Sequence, residues 1–237
     1  MILFISDLHL SESRPKIVLN FIYFLKEYAL KSKALYILGD FFDYWIGDDE
    51  FNSLQQKIAK ELLKLKLKKI PCYLIHGNRD FLIKKKFAKK SGLILLPEEK
   101  ILKIYQYKIF LLHGDTLCTE DFKYQKYRKY THKFWVQNFF LLLPLYIRKK
   151  ILKIIKKINQ KKQKKTKKNI DQKKILKIIK KYNIDYIIHG HTHQNEIHLM
   201  KIDEKFSYRI VLGKWEKNAF IIKLNNKKIE LSYLKFI

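Results

Sequence analysis

The chain is short of several things. Two cysteines, Cys72 and Cys118, occur in 237 residues. That is too few for a disulfide scaffold and suits a reducing compartment, and with no Cys-x-x-Cys there is no thiolate zinc ribbon. Seven glycines and four prolines exclude collagen-like and linker-rich chains. Acidic residues are scarce, 22 against 51 Lys and Arg. No apolar run reaches the ~18 residues of a membrane span, and the longest, 139–147, is interrupted by Pro144. The start, Met1-Ile2-Leu3-Phe4-Ile5, has no basic region and meets Asp7 at once. It reads as a buried first strand rather than a signal peptide, and the expected location is cytoplasmic.

What is present is a chain that can fold. Hydrophobic residues make up 47%, which excludes global disorder, and the length fits one large α/β domain or two small ones. The formal net charge of +29 has two readings. It could favour an anionic partner such as nucleic acid, anionic lipid or a phosphorylated substrate. It could also reflect nucleotide bias, because Lys far outnumbers Arg and Ile, Asn, Phe and Tyr abound. The bias takes the larger share, since sites built for nucleic acid favour Arg and the usual nucleic-acid motifs are absent.

Strands and helices alternate through the first half. Compact apolar strands are expected at 1–6, 34–38 and 71–75, helices at 15–30, 54–69 and 84–91, and a hairpin at 100–104 and 108–112. The stretch 120–182 reads as helical, aromatic and basic. Strands return at 186–188, 208–212, 219–224 and 229–234, with Asn225-Asn226 as a turn. The pattern predicts an α/β sandwich forming a single domain over 1–237, with a helical insertion at about 120–182.

The chemistry lies behind the strands. Asp7-Leu8-His9, Gly39-Asp40 with Asp43, Gly77-Asn78-Arg79-Asp80, His113-Gly114-Asp115 and His189-Gly190-His191-Thr192-His193 each follow a buried apolar run. One such cluster is commonly a turn, and one histidine is commonly structural. Five, each at the carboxyl end of a strand, where open α/β sheets bind ligands, point to a shared site. Asp7, His9, Asp40, Asn78, His113, His191 and His193 offer oxygen and nitrogen without sulfur. That set suits a divalent ion such as Mn²⁺, with Fe, Co or Zn as alternatives. Seven donors exceed the needs of one open metal site and suit two ions roughly 3.5–4 Å apart.

The order D-x-H, GD-x-x-D, GN, H, GH-x-H resembles the calcineurin-like metallophosphoesterases over nearly the whole chain. That resemblance implies a β-sandwich flanked by helices. It makes Asp40 the bridge between two metals, Asp7, His9 and His193 the rest of one site, and Asn78, His113 and His191 the rest of the other. Longer stretches narrow it: Trp45-Ile46-Gly47-Asp48-Asp49, the 71–81 segment ending in Gly77-Asn78-Arg79-Asp80-Phe81, 95–100, the 113–119 segment beginning His113-Gly114-Asp115-Thr116, and Leu212-Gly213-Lys214-Trp215. These are similar to the UDP-2,3-diacylglucosamine pyrophosphatases of lipid A biosynthesis. The resemblance then implies Mn²⁺-dependent cleavage to UMP and 2,3-diacylglucosamine 1-phosphate, by attack of a metal-bridging hydroxide on the α-phosphorus. It also implies peripheral attachment to the cytoplasmic face of the inner membrane.

In that frame Asp40, Asn78, Arg79, His113 and His191 are catalytic. Arg79 offers a guanidinium fork to the pyrophosphate, with a salt bridge to Asp80 as the alternative. Asp43 is expected to orient a ligand histidine, and Asp80 and Asp115 to do likewise or to close turns. Asp121 is either a substrate contact or a helix N-cap. Trp215 reads as core, and Lys214 stands near the site. The insertion reads as a lid with an apolar face for acyl chains and a basic face toward an anionic membrane surface; an ordinary helical hairpin is the alternative. Relatives place Ser, Asn and Lys after the second lid helix. Here Asn159, Gln163 and a lysine such as Lys167 are the candidates for substrate contact. Three rival readings remain: a phosphoesterase of other specificity, a non-enzymatic scaffold, and a nucleic-acid binder.

Overall fold

The computed structural model describes residues 1–162 and 169–236, with side chains omitted over 159–162. Two sheets face each other. The first runs β11-β10-β1-β2-β3-β4, from Ile229–Lys235, Asn218–Leu224, Ile2–Ile5, Ala34–Leu38, Cys72–Ile75 and Leu93–Leu95. The second runs β5-β6-β7-β9-β8, from Glu99–Ile104, Tyr107–Leu112, Tyr186–His193, Lys205–Gly213 and Glu196–Ile202. Strands β1 to β4 are parallel, as are β6, β7 and β9. Their carboxyl ends therefore gather along one rim of the sandwich.

The layers follow from the two-residue period of strands. Phe4, Leu38, Ile75, Leu111, Ile188 and Ile210 turn inward and form the core between the sheets. Leu3, Ile5, Leu35 and Ile37 turn outward to helices α1 (Pro15–Glu27), α2 (Ser53–Leu67) and α3 (Lys85–Ser91). On the far side α7 (Gln172–Tyr182) lays Ile175, Ile178 and Ile179, spaced i, i+3, i+4, against Phe110, Leu112 and Ile187. Helix α7 is thus packed on the body of the sandwich. Trp215 is fully buried in the α1 core.

Helices α4 (Phe122–Thr131), α5 (Phe134–Leu142) and α6 (Leu145–Lys162) behave differently. Phe140 and Leu141 pack against the main core, yet Phe122, Phe134, Trp135, Phe139, Leu142 and Tyr146 are all more than half exposed. Ion pairs fasten α4 and α6, and a charged hydrogen bond fastens α5. Arg148 on α6 is buried, forks onto Asp49 and donates to the carbonyls of Ile46 (2.6 Å) and Leu143 (2.9 Å). Arg128 on α4 joins Asp115 (2.7 Å) to Glu98 (2.8 Å), and Lys84 donates to Gln137 on α5 (2.7 Å).

Two strands escape the expectation from sequence. Strand β4 has only three residues, and β8 is an edge strand whose Glu196-Ile197-His198-Leu199-Met200-Lys201-Ile202 mixes polar and apolar side chains on both faces. Strand β7 also runs five residues further than 186–188, into the histidine cluster itself.

Candidate metal centre

Backbone hydrogen bonds join the loops in pairs. Asp7 N donates to Gly39 O (3.1 Å), His9 N to Asp40 O (2.9 Å), Gly190 N to His113 O (2.8 Å) and Trp215 N to Asp7 O (3.2 Å). The approach is close enough to require missing side chains. A Cβ on Gly190 would lie 2.0 Å from Asp7 Oδ2, and one on Gly77 would lie 2.2 Å from Asp40 N.

The backbone is also strained at this spot. Asp7, His9, Asp40, His191 and His193 all have φ between 49° and 66°. Non-glycine residues rarely occupy this left-handed region, and such outliers gather where function demands them. Five of the seven donors read from sequence are held this way.

One group centres on Asp7. Its Oδ2 accepts from His191 N (2.9 Å) and lies 2.7 Å from Ser6 Oγ. Its Oδ1 turns the other way, 3.2 Å from His193 Nε2 and 3.9 Å from His9 Nε2. Asp7 Oδ1, both ring nitrogens of His9 and His193 Nε2 are buried without a hydrogen-bond partner. Buried polar atoms are otherwise nearly always satisfied, so this convergence fits a cation. Burial alone would raise the Asp7 carboxyl, but His193, His113 and His9 outweigh it and hold it well below its ordinary range. Burial drives His9 down, toward the neutral ring that a metal ligand needs.

The second group centres on His113. Its Nδ1 donates to Leu38 O (2.8 Å), which leaves Nε2 as a lone pair in the neutral ring. That nitrogen lies 3.1 Å from Asn78 Oδ1 and 3.3 Å from His191 Nδ1, and those two are 3.0 Å apart. Asn78 Oδ1 can only accept, so a proton or a cation has to lie among the three atoms. Asp40 stands between the groups, with Oδ2 3.8 Å from His9 Nε2 and Oδ1 3.7 Å from His113 Nε2. Asp7, His9 and His193, and likewise Asp7, Asp40 and His113, are close enough to share an ion. All seven donors therefore come together, and the residues fit divalent metal.

Of the supporting carboxylates, Asp43 departs from expectation, while Asp80 and Asp121 take the turn-closing and helix-capping alternatives. Asp43 does not orient a histidine: its Oδ1 accepts from Arg79 Nη1 (3.0 Å) and its Oδ2 meets Lys156 Nζ of α6 (3.2 Å). Arg79 accordingly pairs with Asp43 rather than Asp80, its Nε 3.6 Å from Asp40 Oδ2. Asp80 is fully buried and clamps two loops, accepting from Gly77 N (2.7 Å) and Phe41 N (2.6 Å). Burial and then Asp40 push its carboxyl up to about 7. Asp115 accepts from Tyr124 Oη and Arg128 and so ties α4 to the His113 loop. Asp121 caps α4, accepting from Tyr124 N (3.0 Å). His189 is structural: it is fully buried, with Nε2 facing Arg209 Nη1 at 3.2 Å. Asn159 lies on α6 with its side chain undescribed, and Gln163 and Lys167 fall outside the described residues. The supporting roles of Arg128 and Tyr124 carry no local sequence signal, because their partner Asp115 lies before the helix that holds them.

The sandwich with clustered acidic, amide and imidazole donors on one rim defines a metallophosphoesterase. The model of the calcineurin-like phosphoesterase family matches residues 1–195, and the chain belongs to that family. Among curated relatives, a Proteus mirabilis protein named UDP-2,3-diacylglucosamine hydrolase is 49% identical over 237 residues, covering 99% of each chain. Proteins of the same name from Photorhabdus laumondii and Escherichia coli are 46% and 41% identical, again covering 99% of both chains.

Proposed function

We propose that the chain hydrolyses UDP-2,3-diacylglucosamine to UMP and 2,3-diacylglucosamine 1-phosphate, a step of lipid A synthesis, with two Mn²⁺ ions. The observation that carries this is the convergence of seven donors around buried, unpartnered atoms of Asp7, His9 and His193. The full-length similarity to proteins named for that hydrolase supports the substrate.

Asp7, His9, His193 and Asp40 would hold one ion, and Asp40, Asn78, His113 and His191 the other. When bound, such a pair supplies an activated water and neutralises phosphoryl charge. Around it the chain's own groups position the substrate. Asn78 and His191 face the α-phosphoryl group, and Arg79 offers its fork to the pyrophosphate oxygens, held in readiness by Asp43. Water oxygen bonds to the α-phosphorus, the bond to the bridging oxygen breaks, and the sugar 1-phosphate leaves with both electrons. This leaving group is already acidic, so a general acid beside Asn78 contributes little.

Helices α4–α6, within the 120–182 insertion, serve as the lid. Their exposed aromatic and aliphatic residues suit acyl chains, and their lysines suit an anionic membrane surface on the cytoplasmic face of the inner membrane. No helix among the described residues is long and apolar enough to cross a membrane. Asp121, Asn159, Gln163 and Lys167 remain the proposed lid-side contacts.

The test is UMP release from UDP-2,3-diacylglucosamine in detergent, with Mn²⁺ and with chelator. Metal-dependent UMP is expected. Hydrolysis of a generic phosphodiester without UMP release would keep the chemistry and discard the substrate.

A further inference from the structure

The metal-donor cluster has two unlike flanks. On one, Asn78, His113 and His191 look toward the lid helices: the Tyr124 ring lies 6.1 Å from the His191 ring, and Arg79 and Lys156 stack over Tyr44 at 4.9 and 4.7 Å. That flank thus meets α4 and α6, two of the helices that carry exposed apolar residues. On the other flank stand Asp7, His9 and His193, and against them lies the segment after β9. Gly213 pairs with His193, Trp215 N donates to Asp7 O (3.2 Å), and Lys214 is held between these two fixed points.

This second flank is polar and rigid. Arg14 staples it, donating from Nη2 to Trp215 O (2.7 Å) and from Nη1 to the carbonyls of Leu8 (3.2 Å) and His9 (3.3 Å). Lys214 pairs with Glu216, and the two side chains are 28% and 60% exposed. Lys214 therefore spends one of its three donors on Glu216 and keeps a face toward solvent at the edge of the donor cluster.

A substrate whose pyrophosphate lies over the donors has two unlike halves to place, and the two flanks offer one surface for each. The apolar flank suits one kind of half and the charged flank another. We infer that the Lys214–Glu216 rim is the subsite for the nucleoside 5′-monophosphate half of the substrate, with Lys214 binding a phosphoryl oxygen and Glu216 the ribose hydroxyls. A lysine recognises phosphate as a point charge, and a carboxylate accepts from a ribose diol. The inference rests on the proposed reaction, because it takes the substrate to be a nucleoside diphosphate conjugate.

Calorimetric titration of the Mn²⁺-loaded chain with UMP, and separately with 2,3-diacylglucosamine 1-phosphate, tests it. Loss of one charge-assisted hydrogen bond weakens UMP about tenfold in Lys214→Ala. Lys214→Arg restores most of the affinity, and Glu216→Gln weakens UMP while leaving inorganic phosphate unchanged. The lipid product, which occupies the other flank, binds Lys214→Ala within about twofold of the wild type. Unchanged UMP affinity in Lys214→Ala, equal weakening of both products, or a wild type that binds no UMP would each overturn the subsite. A wild type that binds UMP but fails to cleave UDP-2,3-diacylglucosamine would instead sink the proposed reaction and leave the nucleotide subsite in place.

Discussion

Gly190 contributes by having no side chain. Its Cα packs where a methyl group would meet Asp7 Oδ2 and Ser6 Oγ at 2.0 and 2.1 Å. Gly190→Ala should cost ~1–3 kcal/mol by overpacking, read as a lower Tm, and should also weaken Mn²⁺ binding, read by metal analysis after dialysis. Asp40 and Arg79 separate two kinds of dependence. Asp40→Ala is expected to abolish turnover with loss of metal. Arg79→Ala should retain metal and fold but lose about 10²-fold in activity, the scale of one removed charge-stabilising group; full activity in either variant would refute the site as drawn. The residue types at these positions were legible from sequence, since Asp, Asn and His stood directly behind apolar runs. Their pairings were not: nothing in the chain order says that Arg79 leans on Asp43 rather than its neighbour Asp80.

At the scale of elements, α4 is held largely by charge. None of its residues is buried, yet Arg128 bridges Asp115 and Glu98, and His132 closes the set on Glu98 at 2.7 Å. The hydrogen bond from His132, aided by Arg128, holds the Glu98 carboxyl down at about 2. Its folded value lies below the unfolded one, so the unfolded chain takes up the proton first. The tether is therefore complete above the unfolded carboxylate value of ~4.3 and drains away as pH falls toward about 2. Hydrogen exchange of 122–131 should accelerate across that window before the sheets unfold; uniform acceleration throughout the chain would contradict it. Arg128→Ala, which takes the paired cation from buried Asp115 and leaves it only the Tyr124 hydroxyl on α4, should loosen the same helix at neutral pH, at a cost of ~3 kcal/mol. Strands β1, β2, β3 and β6 were readable as compact apolar runs, and α7 only as the end of the stretch 120–182 that reads as helical. Strand β8 was not, because an edge strand with one open side needs no clean alternation, and three-residue β4 is too short to leave a pattern.

The whole molecule joins a strongly positive chain to an exposed apolar band on α4–α6. Vesicles containing anionic lipid should retain the protein at low salt and release it as ionic strength rises past the ~10 Å Debye regime near 0.1 M. Replacing Phe134, Trp135 and Leu142 together by Ala should weaken retention on those vesicles. Retention that ignores both salt and these residues would remove the membrane reading. An α/β sandwich was legible from the alternation of elements, and its flanking helices only from the resemblance to a family. The rim on which the donors meet was legible only as an expectation about strand ends, because which strands run parallel is decided by packing far apart in sequence.

The left-handed φ angles of Asp7, His9, Asp40, His191 and His193 carry a cost that other proteins usually avoid. A sequence chosen on this backbone for stability alone would put Gly or Asn at all five positions, since those residues tolerate the conformation most readily. Such a chain would melt later and bind no metal. Stabilising this protein by optimising local backbone preference would therefore erase its chemistry first, and any search for a hardier variant has to begin by holding these five positions fixed.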